Sequence, residues 1–100
     1  LENADVITPL IAKHNTSVFA QYSIRVKDRE AMIKKLSEQE IPTAVHYPVP
    51  LHLQEAFNYL DYKEGDFPIS EMIASQIMSL PMSPYLSDEE QDFIVDAIKA

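Results

Sequence analysis

Apolar residues recur at every second position from Val18 through Ala20, Tyr22 and Ile24 to Val26, with Gln21, Ser23 and Arg25 between them. That alternation predicts a strand with one buried face over 18–26. The period then changes. Asp28 offers an N-cap, and Glu30 stands in a first turn where the helix dipole favours an acid. Met32, Ile33 and Leu36 share one face, which predicts a helix to about residue 40. Ile41-Pro42 stops it, because a residue before proline is driven out of the α region. Thr43 to Tyr47 is β-branched and aromatic at its ends and predicts a second short strand. A strand, a helix and a returning strand make a crossover unit or part of a split one.

Leu51 to Phe57 can form a short helix after Pro50, and 58–66 is a turn-rich connection containing Gly65. Phe67-Pro68 opens a further helix, with Ile69, Met72, Ile73, Ile77 and Leu80 as its stripe. Met78 to Pro84 is extended and proline-bounded, able to add a strand at a sheet edge. Ser87 and Glu90 form a capping box that launches a last helix with Phe93, Ile94, Ala97 and Ile98 facing inward. Residues 1–17 lack a clear period and read as a connecting segment. The whole is a single α/β (α+β) unit, a short sheet of about three strands packed with three to four helices.

Composition narrows the function. The chain has 100 residues, 46% of them hydrophobic, which suffices for a core without disulfides or metal. It has no Cys, which removes thiolate chemistry and Cys-based zinc sites. A formal charge of −8 argues against nucleic acid or an anionic membrane as partner, since phosphate neutralisation needs clustered Lys and Arg. Between Glu55 and Asp92 the only basic residue is Lys63. That run is either a solvated acidic face or an electrostatic interface to a basic surface. No apolar run approaches the roughly 20 residues needed to span a bilayer, and no secretory signal is evident, so a cytoplasmic protein is expected. One glycine, Gly65, leaves no glycine-rich phosphate cradle.

Polar chemistry concentrates in the loop Val45 to Gln54, which carries His46 and Tyr47 just before Pro48 and His52 just after Pro50. The prolines stiffen the backbone, so side chains are presented at little entropic cost. No His-x-x-x-His face or paired carboxylate accompanies the histidines, so no metal is expected. Spacing alone leaves both open between capping the loop and serving a site. The position of His46 at a strand end beside Tyr47 tilts it toward a site. Tyr47 and Tyr85 each adjoin a proline, which suits a packed ring equally well. Serine and lysine occur without the context of an activated nucleophile or a Schiff base.

The ordered set Gln21–Val26, Ile41-Pro42-Thr43, His46–Gln54, Ala56-Phe57, Gly65–Glu71, Ser79–Met82 and Pro84-Tyr85-Leu86 resembles the C-terminal domain of the DegT/DnrJ/StrS family. These are pyridoxal-phosphate-dependent sugar aminotransferases of the aspartate aminotransferase superfamily, and the resemblance covers about residues 15–100. It implies a homodimeric parent enzyme that moves an amino group, typically from glutamate, to a keto group on a nucleotide-linked sugar. It further implies that a large N-terminal domain, outside this chain, holds the cofactor and the Schiff-base lysine. This chain would then carry no catalytic residue and be inactive alone, with residues 18–100 the small domain and 1–17 its connection. By position, His46 and Tyr47 match the segment that touches the sugar substrate, and His52 would orient the loop from behind. A stand-alone binding module that keeps the fold without catalysis is the alternative.

Overall fold

A computed structural model describes residues 1 and 4–100; Glu2 and Asn3, part of the expected connecting segment, lie outside the described residues. Strand β1 (Tyr22–Arg25) is followed by helix α1 (Arg29–Ser37). Two 3-10 turns (Leu51–Leu53 and Glu55–Leu60), helix α2 (Pro68–Gln76), strand β2 (Ile77–Leu80) and helix α3 (Asp88–Lys99) complete the order. Among the described residues the sheet has two strands, paired antiparallel with Tyr22 opposite Leu80 and Arg25 opposite Ile77.

The caps explain the helix limits. Asp28 Oδ1 accepts from the Ala31 N–H at 3.0 Å and starts α1. Its end is a Schellman motif: Glu40 N–H donates to Ser37 O and Ile41 N–H to Leu36 O, both at 3.0 Å. Glu40 takes the left-handed position at φ 61°, and Leu36 and Ile41 make the buried apolar pair that accompanies this turn. Ser87 Oγ accepts from the Glu90 N–H at 3.1 Å and starts α3. Arg29 closes the end of α2, donating to the carbonyls of Ala74 and Ile77.

Behind the sheet, Ile24, Val26, Leu36, Ile41, Met78, Ile94, Ala97 and Ile98 form the core. It is built by β1, α1, β2 and α3, while α2 and the two 3-10 turns stand to one side and bury little there.

Several expectations need correction. The strand over 18–26 shrinks to Tyr22–Arg25, because Phe19 adopts φ 47° and breaks the extended backbone. The strand expected at 43–47 is a single bridge, Ala44 to Ser79, so the three-strand count falls to two. Pro42 and Pro48 border that segment and have no N–H with which to lengthen a ladder. The helix expected over 51–57 is two 3-10 turns. Ile77 and Leu80 are not helical; β1 captures 77–80 directly after Gln76, a tertiary pairing that overrides the helical period. Ile69 in turn is 70% exposed and Phe93 52%, so neither faces the core.

Residues before the first strand also join the sheet. Ile7 and Arg25 exchange backbone hydrogen bonds at 3.0 Å along the edge of β1 that faces away from β2. Ala44 does the same on the far edge of β2.

Candidate functional site

The loop that carries His46 is tethered at one residue. Ala44 and Ser79 exchange backbone hydrogen bonds at 2.7 and 3.1 Å, which brings His46 back over β2. There its Nδ1 lies 3.5 Å from Ser79 Oγ, and Ser79 Oγ lies 2.9 Å from Ser23 Oγ on β1. A line of two hydroxyls thus runs across the sheet to the imidazole. Tyr47 follows with its ring edge-on to His46 at 5.4 Å, and is 68% exposed. The peptide bond between the two is cis.

Beyond Pro48 the chain turns. Pro50 O accepts from Leu53 N–H at 2.9 Å to form the first 3-10 turn, and Gln54 Nε2 donates to Val49 O at 3.1 Å to hold the loop closed. The turn points His52 inward, where Nε2 lies 3.1 Å from Glu71 Oε2 and the ring packs edge-on against Phe67 at 4.8 Å. Phe67 in turn meets Tyr62 at 5.1 Å. Glu71 gathers two backbone donors as well, Gly65 N–H at 2.8 Å on Oε1 and Phe67 N–H at 3.1 Å on Oε2. The Gly65 N–H is the main reason the Glu71 carboxyl is held below its ordinary value of 4.5. Partial burial opposes this, and the Phe67 N–H and His52 add to it.

Between these two groups lies an open groove of about 690 Å³, with His46, Tyr47, His52, Gln54, Tyr62 and Phe67 on its walls. Most of its surface is carbon, with a few converging polar atoms, the usual make-up of a small-molecule site. The three residues singled out by sequence all line it. His46 and Tyr47 stand edge-on to one another, and His52 is backed by Glu71. Glu71 and Ser79 stand in the sequence only within the segments that carry the family resemblance, with no site role attached to either. The available signals were the lone glycine six positions before Glu71 and a serine amid the apolar run of β2.

The groove does not hold the parts of a pyridoxal phosphate site. No lysine or arginine stands among its lining residues, so neither the aldehyde nor the phosphate of that cofactor would find a covalent or ionic anchor. Among the described residues no buried side-chain nitrogen or oxygen lacks a partner, so no polar atom waits for one. Lys27 is paired with Asp5 at the surface, and Lys35 donates to the carbonyls of Ile98 and Ala100. Among the described residues no group of three or more His, Asp or Glu is placed to bind a metal, and no helix is long and apolar enough to cross a membrane.

The chain is similar to known proteins over most of its length. A pleiotropic regulatory protein of Geobacillus stearothermophilus is 45% identical over 93 residues, covering 93% of this chain and 25% of that protein. The dTDP-3-amino-3,6-dideoxy-alpha-D-galactopyranose transaminase of Aneurinibacillus thermoaerophilus is 40% identical over 98% of this chain and 26% of its own length. Among solved structures, S. venezuelae DesV in complex with a ketimine intermediate superposes with a TM-score of 0.90 at 30% identity, over 95% of this chain and 26% of that one. The PLP-form of the putative sugar aminotransferase Spr1654 from Streptococcus pneumoniae gives 0.81 at 27% identity, over 98% and 26%. This chain therefore spans about a quarter of the length of its relatives. The family model for DegT/DnrJ/EryC1/StrS aminotransferases matches residues 1–99, and the chain belongs to that family.

Proposed function

We propose that this chain is the sugar-side part of a pyridoxal-phosphate-dependent aminotransferase, whose parent enzyme passes an amino group from glutamate to a keto sugar carried on a nucleotide. The observation that carries this is the placement of His46 and Tyr47 on one wall of the groove in a chain of this family. An imidazole and a phenol hydroxyl can each donate to or accept from sugar hydroxyls, and the apolar surface around them suits the carbon face of a sugar ring. The nucleotide-sugar transaminase among its relatives supports the substrate class, and the PLP-form of a structural neighbour supports the cofactor.

In this reading the cofactor and the lysine that binds it lie on a large domain outside the chain, in keeping with a groove free of lysine and arginine. Residues 18–100 are the small domain, which closes over the substrate as a lid, and 1–17 lead into it with Ile7 already on the sheet edge. The parent is a cytoplasmic homodimer, and the chain by itself is inactive.

Two half-reactions separate the roles. In the full-length enzyme His46→Ala or Tyr47→Phe slows amino transfer to the nucleotide sugar and leaves the half-reaction with the amino donor nearly intact. Equal loss in both halves would mean that the pair serves folding or the cofactor. Mixed with pyridoxal phosphate, the isolated chain gives no stoichiometric lysine-linked absorbance; a one-to-one band would return the cofactor to this chain and defeat the proposal.

A further inference from the structure

Glu71 does more than begin a helix. A glutamate in the first turn commonly reaches back to the N-cap N–H, and Glu71 does so, taking the Phe67 N–H on Oε2. The same carboxylate also takes the Gly65 N–H and the His52 imidazole. Its partners come from the 3-10 turn at Leu51–Leu53, the turn closed by the Asp66 N–H on Lys63 O, and the adjoining cap of α2. The same stretches also meet through the Phe67 ring, which touches both His52 and Tyr62, and none of the three contributes to the main core. Gly65 permits this because its φ of +94° turns the N–H toward the carboxylate, a conformation L side chains rarely adopt.

The chemistry of the contact is one-directional. An ionised carboxylate only accepts, so His52 Nε2 must carry the proton and donate it to Glu71. With Nε2 committed, the ring plane is set, and it lies edge-on to Phe67, which lies edge-on to Tyr62. These three rings line the same groove as His46 and Tyr47.

We propose that Glu71 is a positioning residue for substrate. By clamping His52, Gly65 and the Phe67 N–H at one carboxylate, it holds the His52–Phe67–Tyr62 rings as the rigid wall against which the sugar is pressed toward His46 and Tyr47. This rests on the reading of the groove as the sugar side of the enzyme. Glu71 is not among the residues that line the groove, so its effect falls on binding of one substrate.

The test uses the full-length holoenzyme with Glu71→Gln, His52→Gln and the double variant. Glutamine offers a single acceptor oxygen and adds an NH2 that meets either the Gly65 N–H or His52 donor to donor. Each single variant is expected to raise KM for the nucleotide sugar roughly tenfold to a hundredfold, the scale of a misplaced binding wall. The KM for the amino donor stays within about twofold, and the double variant is no worse than the poorer single one, as for residues acting as a unit. A rise in both KM values together, additive losses, or an unchanged sugar KM overturns the proposal. Nitrogen-15 NMR gives an independent readout: the His52 Nε2–H signal should be present in the parent sequence and lost or exchange-broadened in Glu71→Gln. Should the unmodified enzyme aminate no nucleotide-linked keto sugar, the functional reading falls, and the NMR comparison still decides whether Glu71 holds the wall.

Discussion

Ser79 and Ala44 exchange both backbone hydrogen bonds, and through that single bridge the second strand determines where the His46 loop begins. The Ser79 side chain then meets both Ser23 and His46. One residue of β2 therefore places the stem of the loop through its backbone and the imidazole through its hydroxyl.

Replacing Ser79 by Ala should keep the bridge and remove the hydroxyl. Ser23 Oγ loses its partner in a half-buried position, so unfolding should become easier by about 1 kcal/mol in urea titration, the usual scale of one such bond. The His46 ring should lose its fixed orientation, visible as a changed Nδ1 shift in nitrogen-15 NMR. An unchanged His46 spectrum would mean that the 3.5 Å contact does not orient the ring.

Acid should weaken the fold through Glu71. Its folded-state pKa lies below the ordinary 4.5, so the unfolded chain binds the proton more readily. The contribution is therefore complete above about pH 4.5 and disappears as pH falls through the lower folded value. Urea midpoints measured from pH 6 down to pH 3 should drop more steeply for the native chain than for Glu71→Gln. Parallel curves would show that the carboxylate does not contribute this way.

Gly65→Ala tests the turn that feeds Glu71. Nothing lies within 4 Å of an added Cβ, so sterics with neighbours are not the issue. The cost comes from φ +94°, and conformations of this kind cost an L residue on the order of 1–3 kcal/mol. If the alanine variant is as stable as the parent by thermal melting, the turn can relax without the positive φ.

Core truncation should be more severe. Leu36 and Met78 have no exposed surface, and Leu36 is the apolar partner of Ile41 in the turn closing α1. Leu36→Ala or Met78→Ala should cost about 2–5 kcal/mol. Ile69→Ala, at an exposed position, should stay within about 0.5 kcal/mol in the isolated chain. A large loss at Ile69 would reveal a contact that this fold does not contain.

Sequence alone went furthest where the signal is local. Asp28 and Ser87 read as caps because a short polar side chain can satisfy the N–H groups just ahead of it, and both do so. Ile94, Ala97 and Ile98 read as core from their spacing, and they are buried. The loop of His46, Tyr47 and His52 stood out by its prolines and polar residues, and all three line the groove. Local pattern could not tell whether 77–80 continues the helix or pairs with β1, since apolar residues there satisfy either period. Nor could it show that 43–47 contributes one bridge in place of a strand.

The site divides along the same line. Residue types and order along the chain determined which side chains were available and which family they resemble. Only the tertiary structure decided that Glu71 meets His52 across 19 positions of sequence and that Ser79 meets His46 across 33. Those contacts join segments with no common local period; the pairing of β1 with β2 and the turn at Gly65 close the distance, and neither is encoded at the residues that finally touch.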